Sequence, residues 1–420
     1  TLFYMLSGMV DTLMLSAVGD YAVGAVGTAN SYIGIFIIMF SIISSGMVSV
    51  MTQNIGAGRP GVAYQARQLG LLFNAVAGVL MAVFLFSGAG AILRMVGIAD
   101  ALYEPALIYL KIVGGGCILN AVIPIFSSYL RAFGYTKQPL YATIVGNIAN
   151  FVMNAVFLFV LHKGVAGVAA ATVISKILNL CIVLYFSHKL ISAKNSTERI
   201  ANKTVLGQIV KVGLPSACET ALYNVAMMLV IRFLNQMDAE GLNVTARSYT
   251  ATISNFSYCV GAALAQANAI MTGWHIGAGE LEECDRGTKR AAFVGVCVAV
   301  CMETAIVLGS GFIMPLFTDN PEMTALVRKL LAIDIVLEIG RVTNLVFGQA
   351  LKTSGDAVFP AVIAAVFMFV FAVGGTWLFG ISMGLMAVGA YIGLASDECV
   401  RAVGMVWRWK TGKWRTKKLV

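Results

Sequence analysis

The first residue in this chain whose type and position could do chemistry is a carboxylate. Asp11 lies within "GMVDTLML", with no basic residue near it in sequence. A charge in apolar surroundings is expensive unless something compensates it. Asp11 is therefore expected to carry a proton near neutral pH or, with neutral oxygens around it, to hold Na⁺. Asn147, Asn150 and Asn154 follow at spacings of three and four residues, which put three amides on one helical face. The second half offers Glu219, Asp334, Glu338 and Arg341. Glu219 sits one turn after Pro215, where a helix is prone to kink. Glu338 and Arg341, at i and i+3, are placed to neutralise each other. Lys176, Glu303 and the run Asp397, Glu398 and Arg401 read as pairing or interfacial residues.

Other chemistries find little support. The eight cysteines show no metal or redox spacing and lie mostly in apolar runs, as small buried hydrophobes do. His162, His188 and His275 are far apart, and no phosphate-cradling loop is present. An enzyme is not expected, nor a cofactor, nor a metal beyond Na⁺ at Asp11.

The elements that must position these groups follow from composition. Of 420 residues, 59% are hydrophobic and 12% charged, where a soluble domain carries about 25% charged. So little polar surface implies an all-α polytopic membrane protein. A spanning helix needs about 20 apolar residues, and about twelve windows qualify: 1–19, 28–53, 68–95, 103–131, 139–161, 166–192, 206–234, 243–275, 287–314, 322–351, 359–380 and 386–408. The first is short at its start, as in a piece that begins partway through helix one, and no signal peptide is visible. The net charge of +9 suggests nucleic acid until its placement is considered. Arg59, Arg67, Arg131, Lys137, Lys189, Lys203, Arg286, Lys289 and the tail 408–418 follow even-numbered windows, whereas Asp20, Asp100, Glu104, Asp238, Asp319 and Glu322 lie on the opposite side. By the positive-inside rule both termini are cytoplasmic. The tail "WRWKTGKWRTKKL" reads as an anchor to the membrane surface.

The chain also repeats itself. "MTQNIGAG" (51–58) returns as "MTGWHIGAG" (271–279), "YLRAFGYTKQP" (129–139) as "ALKTSGDAVFP" (350–360), "GVAGVAA" (164–170) as "GLMAVGA" (384–390), and "TANSY" (28–32) as "TARSY" (245–249). Most are about 221 residues apart and lie in the same order. Each half has six windows, an even number, so the halves enter the membrane from the same side. That makes them parallel repeats about a pseudo-two-fold axis along the membrane normal, with a central cleft and alternating access by rocking. The expected organisation is an N-lobe over 1–192, a linker over 193–205, a C-lobe over 206–408 and a basic tail over 409–420. The Gly-Ala-Gly corners are helix stops rather than binding sites.

Over nearly its whole length the chain resembles the multidrug and toxic compound extrusion (MATE) family. The stretches that carry the resemblance are "GMVDTLMLSAVGDYAVGAVGTAN" (8–30), "QNIGAGRPGVAYQAR" (53–67), "LRAFGYTKQP" (130–139), "GNIANFVMNAVFLF" (146–159), "GVAGVAAATVIS" (164–175), "GLPSA" (213–217) and "ALKTSGDAVFP". The resemblance implies two six-helix lobes and a Na⁺- or H⁺-coupled antiporter that exports organic, often cationic, compounds. It matches Asp11 to the family's cation-site aspartate, and Asn150, Asn154 and Thr172 to the rest of that site. Some branches carry a second aspartate where this chain has Asn154. Some have a coupling glutamate on the helix of Glu219, but one turn later. Glu219, Glu338 and Arg341 are thus candidates for coupling or substrate contact in the C-lobe.

The expected setting is the plasma membrane, with membrane lipids around a monomer, small organic molecules as substrates and no nucleic acid. A flippase for lipid-linked precursors is the alternative, and it would be expected to line its cleft with Lys and Arg. Buried cations are few here, Lys176 and Arg341 among them.

Overall fold

The computed structural model of the chain describes residues 14–15, 19–95, 98, 100–191, 198–238 and 241–420. Asp11 lies outside them. We number the helices α1 (Asp20–Gly56), α2 (Pro60–Met95), α3 (Asp100–Gly115), α4 (Cys117–Ala132), α5 (Lys137–Ala155), α6 (Gly164–Leu190), α7 (Asn202–Met237), α8 (Leu242–Ala278), α9 (Leu281–Ile313), α10 (Pro321–Thr353), α11 (Val358–Phe367) and α12 (Met386–Lys410). No strand occurs among the described residues, as expected where every backbone polar group must be satisfied within its own segment.

Seven of these runs are long and apolar enough to cross a membrane, and an eighth is the pair α3 and α4, bent by 41° at Gly116. The windows at α8, α10 and α12 were also read as spans, but they are more polar. Ser, Thr and Asn dilute α8, while α10 carries Asp334, Glu338 and Arg341, and α12 carries Asp397, Glu398 and Arg401. Those charges, the half-buried Arg341 apart, are buried within the protein rather than turned to lipid. Large apolar side chains point outward elsewhere, among them Leu80, Phe86 and Ile148, and Phe293, Phe312 and Val370. In water such a surface would be an aggregation hazard; here it is the lipid face of a multi-pass membrane protein.

The chain forms two compact units. One holds the described residues up to Ile55 together with Arg59–Gly213, the other Gly56–Gly58 and Leu214–Val420. The first unit is built around a core that includes Phe40, Leu85, Leu93, Leu110 and Val168. It also takes the first turns of α7, because glycine lets backbones touch there. A Cβ on Gly213 would stand 1.8 Å from the Ile42 carbonyl oxygen, and one on Gly46 would stand 2.0 Å from that of Ile209. Such small-residue crossings allow close helix packing where lipid supplies no hydrophobic drive. The segment before α7 is pinned to the same unit by Gln65. Its amide donates to the Ile200 carbonyl at 2.7 Å and to the Asn202 side chain, and it accepts from Ile200 N–H at 3.2 Å.

The repeat is visible in the backbone. Gly58 and Gly279 have φ of +74° and +79°, Gly134 and Gly355 +85° and +98°, and Gly164 and Gly384 +54° and +70°. Equivalent positions of the two halves thus share left-handed corners that favour glycine. After both α5 and α11 the chain passes into π-helical turns, at Val156–Val160 and at Met368–Val373.

In the second unit, Asp238 fixes the turn into α8 by accepting from the Leu242 and Asn243 amides at 2.8 and 3.0 Å. Slight burial pushes its carboxyl up, but the donors from Asn243, Leu242 and Gly241 outweigh it and hold the group below the usual aspartate range. Asn243 in turn accepts from Ala387 N–H at 3.0 Å, tying the start of α8 to that of α12.

The tail departs from the membrane-anchor expectation. Trp409 and Trp414 are each 1% exposed and stack with centroids 4.2 Å apart. Trp409 Nε1 donates to Asp285 at 2.7 Å, Arg408 pairs with Asp356 at 2.7 Å, and Arg415 pairs with Glu282 at 2.7 Å. Folding back satisfies both indole N–H groups, Trp409 at Asp285 and Trp414 at the Trp409 carbonyl at 3.1 Å. The tail is a cap on its own unit.

Gly213→Ala is expected to destabilise the first unit by about 1–3 kcal/mol, the range for an overpacked core. Gly207→Ala, on the same helix with no atom near its added methyl, should cost nothing. Thermal midpoints of the two variants in detergent would check this.

A candidate cation site in the second unit

Of the residues predicted for the first-half site, the structure brings two together. Asn154, fully buried, donates from Nδ2 to Oδ1 of Asn150 at 3.3 Å. Thr172 spends its hydroxyl on the Val168 carbonyl of its own helix at 2.9 Å. The three share a pair of packed helices, α5 and α6, where Gly146 leaves room for Ser175 and Asn179.

The second unit holds far more buried charge. Its helices approach one another through glycine. A Cβ on Gly340 would meet the Cys399 amide nitrogen at 2.7 Å, and those on Gly261 and Gly295 would each meet Val342 at 2.8 Å. These contacts set α10 against α12, α8 and α9, and so gather charges from α7, α9, α10 and α12. Arg401 (4% exposed) pairs with Asp397 through two bonds, at 3.1 and 2.7 Å, and with Glu398 at 2.7 Å. Asn344 donates to Glu398 at 3.0 Å. Arg341 is joined to Glu338, as the i,i+3 spacing suggested, and also reaches Glu398 at 3.8 Å. Glu219 pairs with Lys352 at 2.7 Å. All three second-half candidates are therefore engaged in ion pairs.

Two acids are not. Asp334 is 2% exposed and its Oδ2 has no hydrogen-bond partner; Glu303 is fully buried and neither of its oxygens has one. One oxygen each from Glu303, Asp334 and Glu338 lie within 4.8 Å of one another. Glu303 thus departs from its sequence reading as a pairing residue. The signal was there: it is an acid inside an apolar run, as Asp11 is. Its proximity to α10, sixteen of whose residues are buried, arises from tertiary packing and is not written in local sequence.

A cavity of about 490 Å³ opens beside this network. Asp334, Arg341, Asp397, Glu398 and Arg401 line it, with Tyr223, Tyr258, Tyr391, Met227 and Met368 as its soft walls. Arg247, also on the wall, has a thioether contact, to Met227 sulfur at 3.8 Å. Aromatic faces and thioethers beside an uncompensated carboxylate form a surface suited to cations of varied shape.

A family model described as MatE matches residues 1–156 and 215–378. The chain belongs to the MATE family. It is 32% identical, over 99% of its length and 92% of the relative's, to a Bacillus subtilis protein described as "Uncharacterized transporter YisQ". It is 20% identical, over 99% of its length and 90% of the other's, to the "Probable multidrug resistance protein NorM" of Thermotoga maritima. Among solved structures, a MATE protein in its straight conformation matches with a TM-score of 0.87, at 21% identity, over 99% of this chain and 93% of that one. A MOP superfamily transporter from Pyrococcus furiosus, reported with a binding pocket of reversed polarity, matches with a TM-score of 0.82 at 20% identity over 98% and 93%. These likenesses give the chain the fold of MATE transporters, all-helical with a doubled bundle. A MATE protein is a transporter and not an enzyme, which agrees with the scatter of its histidines.

Removing Arg401 would strand two buried carboxylates. Arg401→Leu is expected to cost about 3–5 kcal/mol, the usual penalty for breaking a buried pair from one side. Adding Asp397→Asn and Glu398→Gln should restore most of it. Folded yield and thermal midpoint of the single and triple variants test the ordering.

Proposed function

We propose that this MATE protein is a secondary active antiporter that exports organic, often cationic, compounds, driven by inward movement of Na⁺ or H⁺. The observation that carries this reading is Asp334 at the wall of the second-unit cavity. There a carboxylate without a paired base faces three tyrosines and two methionines. An organic cation placed there gains both charge compensation and ring contact. The relative named for multidrug resistance supports the substrate class.

In this reading the coupling ion loads at Asp11, with Asn150, Asn154 and Thr172 as neutral oxygen donors. Each inward charge contributes about 2.3 kcal/mol per 100 mV of membrane potential. Glu219, Glu338 and Arg341 act as the charged frame of the second-unit cavity. In this reading both termini are cytoplasmic, which the basic loops favour, and the setting is the plasma membrane. The precursor-flippase alternative would draw on the three arginines of the cavity wall, Arg247, Arg341 and Arg401, but two of them are held by Glu338, Asp397 and Glu398.

Asp334→Asn and Asp11→Asn are each expected to lower ethidium efflux at least tenfold at equal folded protein. Imposed Na⁺ and proton gradients, applied separately to proteoliposomes, identify the driving ion. Full efflux by Asp334→Asn would overturn the cavity assignment, and full efflux by Asp11→Asn the coupling assignment.

A further inference from the structure

We infer that the second unit binds one hard divalent cation between Glu303 of α9 and Asp334 and Glu338 of α10. The inference starts from charge. Three carboxylates contribute three negative charges, and Arg341, bonded to Glu338, returns one. Two negative charges are left over in the low-dielectric interior of a membrane protein, where each uncompensated one is costly. Arg401 and Lys352 are already engaged with Asp397, Glu398 and Glu219. For the three acids ionised, a single divalent ion closes the local balance, whereas a monovalent ion does so only with a proton retained on one of them.

Geometry agrees. The three donor oxygens lie within 4.8 Å of one another. Opposed oxygens across an ion with bonds of about 2.3–2.6 Å are separated by about that distance. Four oxygens at the cluster lack a close hydrogen-bond partner, both of Glu303, Oδ2 of Asp334 and Oε2 of Glu338, and the hydroxyls of Ser257 and Ser254 that face Glu303 and Asp334 add neutral oxygens to the donor set. Glu303 itself is 0% exposed. A side chain so enclosed, with no cation beside it and no close donor on either oxygen, points to a ligand more directly than clustering of acids does. The donor set is all oxygen with no His or Cys, which selects Mg²⁺, Ca²⁺ or Mn²⁺ over zinc or copper. Asp334, which lines the cavity, gives the ion a route in, so an organic cation at the same wall would compete with the ion for this carboxylate; Glu303 and Glu338 complete the donor set.

The test uses the purified full chain in lipid nanodiscs, with no exported compound present, so that its outcome is independent of whether the export reading stands. Free Mn²⁺ is followed by electron paramagnetic resonance during titration. Wild type should take up one Mn²⁺ per chain, displaced by Ca²⁺ or Mg²⁺ but not by 100-fold more Na⁺. Glu303→Gln, nearly isosteric and away from the cavity wall, should weaken uptake at least tenfold while its thermal midpoint holds or rises. If that variant does not fold, Asp334→Asn should give the same loss. Absence of saturable uptake by folded wild type, unchanged uptake in the variant, or ready displacement by Na⁺ would each overturn the assignment.

Discussion

Charge buried among packed helices governs the second unit. Aqueous ion pairs are weak and replaceable, but inside a membrane protein each charge must find a permanent partner, a transient one or a proton. The guanidinium of Arg401 settles the matter for Asp397 and Glu398, Lys352 does so for Glu219, and Arg341 does so in part for Glu338. Asp334 and Glu303 have no such neighbour. Two of the helices that carry these residues, α10 and α12, are too polar to pass as membrane spans on their own. The packing of α7 to α10 and α12 can be read as a response to that polarity.

That packing depends on glycine. Gly340 allows α10 to lie almost against the α12 main chain, close enough for Arg341 to reach Glu398 at 3.8 Å and for Asn344 to donate to it at 3.0 Å. The same device operates in the first unit, where Gly46 and Gly213 bring α1 and α7 together with no charge involved. Close approach is thus a general resource of this fold, and the second unit uses it to concentrate ionisable groups.

Much of this was legible in the sequence. Apolar length and a doubled phrase order announced an all-helical membrane protein with two related halves, and matching left-handed glycines now mark the same corners in each. The pairing of Glu338 with Arg341 followed from their spacing. Asn150 and Asn154 were found on one face for the same reason. What escaped was long-range. Nothing near Glu303 in sequence reveals that Asp334 and Glu338, some thirty residues on, arrive beside it. Trp409 and Trp414 looked like interfacial residues because aromatic and basic composition is the same for a surface anchor and for a folded cap; only the partners Asp285, Glu282 and Asp356 separate the two. Asp11 lies outside the described residues.

The folded-back tail has a practical side for anyone handling the protein. Leu419, next to last, is 6% exposed, and the Lys417 carbonyl sits against Gly355 so closely that even a methyl there would collide with it. A bulky or charged side chain in place of Leu419 or Gly355 would lever the cap off its bed.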